Sequence, residues 1–164
     1  MGDKGFRIRT TTAEDAGFLR EMLLAAATWR PGEEATGTDV LADPAVAHYV
    51  DGWPRTGDRG VVAVAGEPVG AAWLRYLPAD DPGYGFVAAD VPELSMGVTA
   101  AWRGRGVGRA LLRALLEDAH AAGVATVSLS VERDNHAVHL YRGEGFTVVA
   151  KEPGAYTMIR TLTG

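Results

Sequence analysis

Glu93-Leu94-Ser95-Met96-Gly97-Val98-Thr99-Ala100-Ala101-Trp102-Arg103-Gly104-Arg105-Gly106-Val107-Gly108 is the stretch on which the reading of the fold turns. Leu94, Met96 and Val98 alternate with Glu93, Ser95 and Gly97 at the period of a strand, whereas Val107, Ala110, Leu111, Ala114, Leu115 and Ala119 recur at the helical period. A strand therefore feeds a helix through a loop that carries Gly104, Gly106 and Gly108.

Such a loop leaves backbone N–H groups unpaired at a helix start, where the helix dipole also favours negative charge, so the place suits a phosphate. The glycines let main chain approach a ligand with no side chain between. Arg103, Arg105, Arg109 and Arg113 crowd into the same start although the chain carries a formal charge of -5, so the concentration of cations calls for an anion, with a pyrophosphate as the natural candidate. An ordinary turn with a solvated basic face is the plain alternative. The spacing lacks the Lys-Ser/Thr of a nucleotide P-loop, and the loop follows a mid-chain strand rather than the first, which disfavours a dinucleotide fingerprint.

Two motifs then carry a resemblance. Arg103-Gly104-Arg105-Gly106-Val107-Gly108 resembles the Gln/Arg-x-x-Gly-x-Gly/Ala motif of the GNAT superfamily of acyl-CoA-dependent N-acetyltransferases. The run from Asn135 through Leu140-Tyr141 to Gly145-Phe146 is similar to that family's second motif, Asn-x-x-Ala-x-x-Leu-Tyr-x-x-x-Gly-Phe. The close match runs from Glu93 to Phe146, and the flanks agree in element order.

The resemblance implies an α/β (α+β) fold: a mixed, mostly antiparallel twisted sheet of six to seven strands flanked by about four helices, with a central parallel pair splayed to hold CoA. It implies one domain over residues 1–164 that moves an acetyl group from acetyl-CoA to a primary amine by direct attack. Arg103, Gly104, Arg105, Gly106, Val107, Gly108 and Arg109 would hold the pyrophosphate, the backbone of Met96, Gly97 and Val98 would pair with the pantetheine arm, and Asn135 would touch the cofactor. Met96 N–H would polarise the thioester carbonyl, as an oxyanion donor does. Glu93 is the family-matching base and Tyr141 the family-matching acid.

The residues themselves leave alternatives beside each role. Gly97 in mid-strand fits a bulge or a close approach, or is simply a weak point in the strand. A carboxylate facing an ammonium is a poor direct base, by roughly 8 kcal/mol on ordinary pKa values, so Glu93 requires a chain of waters or a pKa raised by burial. A phenol is uphill of a thiolate by only ~2 kcal/mol, which makes Tyr141 a credible donor, though an aromatic on a short helix is commonly core. Asn135 serves equally well as a helix cap.

Composition sets the outer limits. A chain of 164 residues with 47% hydrophobic content supports one core rather than two. The mean hydropathy is near zero at -0.01, and no apolar run approaches the ~18–20 residues that a membrane span needs. Met1 to Arg9 lacks the apolar core of a signal peptide. The absence of cysteine excludes disulfides and thiolate metal sites and fits a cytoplasmic protein. A pI near 5.3 argues against a protein that coats nucleic acid.

Along the chain, Phe6 and Ile8 predict a first strand, and Thr11 or Thr12 caps a helix whose buried face is Leu19, Met22, Leu23, Ala26 and Ala27, ending at Pro31-Gly32. Val40 to Val50 reads as a second helix interrupted by Pro44. Trp29, His48, Tyr49 and Trp53 lie around it; the resemblance implies that this segment overhangs the acceptor, so they would contact substrate, or else simply cover the sheet, and Glu33, Glu34 and Asp51 are either charges that attract a cationic amine or ordinary solvated loop charge. Val61 to Ala65 and Val69 to Leu77 form a hairpin, and Trp73 and Tyr76 fall on its opposite faces. Pro78 to Val91 is a long polar loop. Val127 to Val131, a helix capped at Asp134 or Asn135, and strands at Phe146 to Ala150 and Tyr156 to Leu162 complete the order. His136 and His139 have a spacing two ligands can use, but no third ligand accompanies them and no metal is assigned.

The leading expectation is thus an acetyl-CoA-dependent N-acetyltransferase, acting on a small molecule or an exposed protein amine, with homodimers common in the family. The alternative is an acyl-CoA sensor or partner-binding module on the same fold. Retention of both Glu93 and Tyr141 favours catalysis.

Overall fold

The computed structural model describes residues 5–27 and 41–162. Seven strands, β1 (Arg7–Thr10), β2 (Arg59–Ala65), β3 (Glu67–Arg75), β4 (Glu93–Val98), β5 (Thr126–Glu132), β6 (Thr147–Glu152) and β7 (Ala155–Thr161), form one sheet in the order β1-β2-β3-β4-β5-β7-β6. Among the described residues these helices accompany them: α1 (Ala16–Ala27), α2 (Pro44–Ala47), α3 (Val107–Ala121) and α4 (Ala137–Gly143). Every neighbouring pair is antiparallel except β4 with β5. The expected mixed, mostly antiparallel sheet with a central parallel pair is what forms.

The period of two along each strand assigns the two faces of the sheet. Leu94 of β4 and Leu74 of β3 are partners and join α3, α4 and β5 in one core that includes Leu111, Leu115, Leu129, Phe146 and Met158. Trp73 belongs to the opposite core, with Leu19, Met22 and Leu23 of α1 and Tyr49 and Val50 beyond α2. Glu93, Ser95 and Gly97 therefore face α1, and Leu94, Met96 and Val98 face α3.

Local chemistry sets the helix ends. Thr12 and Asp15 form a reciprocal capping box before α1, in which the Thr12 amide donates to Asp15 Oδ2 at 2.7 Å. Leu41 is helical, residues 42 and 43 are not, and Pro44 then opens α2 at its first turn, where a missing N–H costs nothing, with Asp43 as its cap. In α1 the buried face is Leu19, Met22 and Leu23; Ala26 and Ala27 lie outside it. The expected end of α1 at Pro31-Gly32, together with Trp29, Glu33 and Glu34, lies outside the described residues. Among those residues no helix is long and apolar enough to cross a membrane.

Candidate active site

The parallel pair at the centre of the sheet is joined at one point only. Glu93 is the residue of β4 that partners β5, opposite Ser128, and the Ser128 amide donates to the Pro92 carbonyl at 3.0 Å. On the other side β4 is paired with β3 throughout, from Arg75↔Glu93 to Gly70↔Val98. Past Glu93 the two central strands part. The Thr99 amide donates to Val69 on the β3 side at 2.9 Å, so by alternation the amides and carbonyls of Met96 and Val98 turn toward the opening.

Beyond the opening lies the start of α3. Its N-cap, Gly106, sits at φ 85 with no side chain capping it, and Gly104 sits at φ 74. Both are in the left-handed region that glycine enters without steric cost. The amides of Val107, Gly108 and Arg109 donate to no acceptor among the described residues, leaving the partial positive charge of a helix N-terminus exposed. A Cβ at Gly104 or Gly106 would meet nothing within 4 Å, so the loop is open on its outer side. These features fit a diphosphate ester with an extended arm running to β4.

The arginines are arranged differently from the expectation of four cations awaiting one anion. Arg109 and Arg113 both address Glu144, at 3.7 and 2.7 Å, and Arg113 holds that carboxyl below its ordinary range. Arg105 stacks over Trp102 at 4.8 Å. Arg103 donates from Nε to the Val98 carbonyl at 3.2 Å, bridging the glycine loop and β4. Among the described residues Arg103 and Arg105 have no carboxylate partner, while Glu144, at the end of α4, balances the other two.

Gly97 is also explained differently. Its register with Ala71 is regular, with no bulge in β4. A Cβ at Gly97 would lie 2.4 Å from the Met22 carbonyl oxygen, so the close approach that glycine allows is that of α1. Gly108 faces Met96 and Leu140, with a built Cβ 3.6 and 3.4 Å from their side chains, which draws the start of α3 against α4. The N-cap of α4 is His136, one residue past the expected Asn135, and has no side-chain cap bond, while Asn135 Oδ1 accepts the Ala137 amide at 2.9 Å.

Glu93 is 4% exposed and lies on the α1 face. Tyr49 donates its hydroxyl proton to Glu93 Oε2, and the Tyr84 amide donates to the same hydroxyl at 2.8 Å. Oε1 has no hydrogen-bond partner among the described residues. The Gly85 amide favours the carboxylate's charged form. Burial raises the Glu93 pKa, against the opposing pull of Tyr49, the Gly85 amide and His48. This carboxylate is therefore more basic than a solvated one.

Tyr141 belongs to the core on the other face, its ring meeting Phe146 edge-on at 5.6 Å. Burial raises its pKa, so the phenol keeps its proton more firmly than the ordinary value implies. A thiolate released into the same apolar surroundings has its own pKa raised, which offsets the difference.

Residues 78–92 supply what the sequence did not disclose. Gly83 and Gly85 leave no room for side chains: a Cβ at Gly83 would be 2.2 Å from Glu93 Oε1, and one at Gly85 would be 2.5 Å from the Leu129 main chain. The segment is laid over Glu93 and β5 rather than projecting from the sheet. His48 Nδ1 lies 2.9 Å from Asp81 Oδ1 and fastens it to α2. Ser128 is fully buried on the same face as Glu93, and its Oγ has no hydrogen-bond partner among the described residues. Trp73 and Tyr76 are not candidates for ligand contact of the same kind. Trp73 is fully buried and donates to the Tyr49 carbonyl at 2.9 Å, whereas Tyr76 is 38% exposed.

Comparison with known proteins agrees with this geometry. Residues 21–146 match the model of the acetyltransferase (GNAT) family. A GCN5-related N-acetyltransferase from Kribbella flavida is 26% identical and superposes with a TM-score of 0.66 over 96% of this chain and 98% of its own. The yncA protein of Salmonella typhimurium, solved with its cofactor acetyl-CoA, has a TM-score of 0.69 at 22% identity over 97% of this chain and 95% of its own, a likeness of fold. Mycothiol acetyltransferase of Propionibacterium freudenreichii is 36% identical over 91 residues, which make up 55% of this chain and 27% of that protein. The chain thus spans about a quarter of the length of that curated relative. With the parted strands, the uncapped glycine loop and the matched family model together, the chain belongs to the GNAT family of acetyltransferases, whose acyl donor is acetyl-CoA.

Proposed function

We propose that this protein is an N-acetyltransferase that carries the acetyl group of acetyl-CoA to a primary amine by direct attack. The observation that carries the reading is that Glu93 and Tyr141 lie on opposite faces of the sheet, Glu93 at the single-point junction of β4 and β5 and Tyr141 in the core that also holds Leu94 of β4 and Leu129 of β5. A base and an acid so disposed can serve the incoming amine and the outgoing thiolate without exchanging places.

In this account the amides of Val107, Gly108 and Arg109 bind the pyrophosphate, with Gly104 and Gly106 keeping the approach clear and Arg103 and Arg105 supplying charge. Arg103 lets go of the Val98 carbonyl as the pantetheine amides pair with Met96 and Val98. Gly97 contributes main chain only, since the space at its Cβ belongs to α1. Met96 N–H polarises the thioester carbonyl, Glu93 receives the amine proton, and Tyr141 protonates the departing sulfur. Asn135, with Oδ1 engaged by the Ala137 amide, retains its amide N–H groups for the cofactor.

Two variants separate these roles. Tyr141→Phe is expected to lower kcat about tenfold or more, as loss of a general acid does, with the Kd of acetyl-CoA within about twofold. A matching loss of affinity would contradict the donor role. Gly106→Asp places a carboxylate at the helix N-terminus and a side chain at a φ of 85, so the Kd should rise more than about tenfold. Unchanged affinity, measured by titration calorimetry on folded variant, would remove the pyrophosphate assignment.

The reaction itself is tested by thiol release from acetyl-CoA against a panel of small primary amines and of peptides with free amino groups. Acceptor-dependent release is expected. Saturable acetyl-CoA binding with no acceptor-dependent release across the panel would favour the binding-module reading instead.

A further inference from the structure

The main chain just beyond α2 presents His48 and Tyr49 to the segment 78–92, and Tyr49 reaches through it to Glu93. Tyr49 is 6% exposed and held on several sides. Its ring stands edge-on to His48 at 4.6 Å, and its carbonyl accepts the Trp73 indole N–H at 2.9 Å. The hydroxyl has one proton, given to Glu93 Oε2, and it also accepts from the Tyr84 amide. Burial and the adjacent Glu93 raise the Tyr49 pKa, so the hydroxyl stays protonated and does not compete as a base. With Oε2 engaged, Oε1 is the carboxylate oxygen that has no hydrogen-bond partner among the described residues, and it is buried against Gly83, where a Cβ would lie 2.2 Å from it.

We propose that Tyr49 is a positioning residue for acetyl transfer, tethering Oε2 of Glu93 to the Tyr84 amide so that Oε1 is the atom that receives the acceptor's proton. The inference rests on the reading of Glu93 as the base. The groups facing Glu93 are accounted for on each side. Arg75, its partner on β3, is taken up by Asp58 and by the carbonyls of His48 and Asp51. His48 on the α2 side is joined to Asp81, Tyr84 offers only its amide, and β5 presents Ser128.

The test is a cycle of wild type, Tyr49→Phe, Glu93→Gln and the double variant, with kcat, the Kd of acetyl-CoA and the pH dependence of kcat measured for each. Tyr49→Phe should lower kcat about tenfold with the Kd within about twofold, because a hydrogen bond that favours the anion is lost. For the same reason the acid limb should move to higher pH, since less of the carboxylate is ionised at a given pH. In the Glu93→Gln background the same change should have no further effect on kcat. Replacing Tyr49 with difluorotyrosine, a more acidic phenol and stronger donor, leaves the fold undisturbed and should move the acid limb the other way.

A Tyr49→Phe enzyme with wild-type kcat and an unmoved acid limb overturns the inference. So does an equal loss in the Glu93→Gln background, which would mean that Tyr49 acts independently of the carboxylate. Wild-type kcat in Glu93→Gln is a different failure: it removes Glu93 as the base and the inference with it.

Discussion

Glu93→Gln is expected to lower kcat for acetyl transfer by about 10²–10³-fold while leaving the Kd of acetyl-CoA within about twofold, the range associated with loss of a general base. Gln keeps an oxygen to accept the Tyr49 hydroxyl, so the neighbourhood of Tyr49, Tyr84 and Gly83 has no cause to rearrange. The sign of the pH dependence follows from burial. Glu93 has a raised pKa, so the active anion is lost as pH falls through a value above the ordinary carboxylate range. Wild type should therefore show an acid limb displaced upward, and Glu93→Gln should lack it. An acid limb that persists unchanged in Glu93→Gln belongs to another group.

The second large effect is on stability. Arg75 and Asp58 have side chains that are 1% and 2% exposed, paired through Nε and Nη2 at 3.1 and 2.7 Å. Arg75 also donates to the His48 and Asp51 carbonyls at 3.0 and 2.6 Å. Arg75→Met would leave a buried carboxylate with no counter-charge and two carbonyls without this donor, a loss of about 3–5 kcal/mol for a broken buried pair. For a chain of this size that corresponds to a fall in Tm of about 10 °C or more. Arg75→Met/Asp58→Leu should recover much of the loss, because the cost lies in the stranded charge rather than in absence of the pair. A change below about 1 kcal/mol in the single variant would show that the pair is not a buried determinant of the fold. Arg75 is also Glu93's partner in the sheet and anchors the chain that carries His48 and Tyr49, so weakening it should loosen the site as well.

The two motifs were legible because they are local and periodic. The strand Glu93–Val98 and helix Val107–Ala121 follow from apolar spacing and three glycines, and the central parallel pair in a mostly antiparallel sheet came with the resemblance. What escaped is carried by irregular backbone over long separations. Tyr49 and Glu93 are 44 residues apart, and Gly83 and Gly85 sit in a loop outside any strand or helix. The sequence showed an aromatic-glycine alternation there, Gly83-Tyr84-Gly85-Phe86, without showing what the glycines face. Glu144 closes two of the arginines of α3 from the far end of α4, so charge counting along one helix overstated the anion site. Gly97 illustrates the same limit: a glycine that permits close approach announces a neighbour, and only packing identifies it as Met22 rather than a ligand.

The central claim is that an uncapped α3 start and the parted β4–β5 pair together form an acetyl-CoA site. Titration calorimetry of acetyl-CoA into the folded chain tests it most directly. The expected result is saturable binding of one molecule per chain with a rise in Tm, weakened by Gly106→Asp and nearly unaltered by Tyr141→Phe. No saturable heat and no change in Tm at millimolar acetyl-CoA would contradict it.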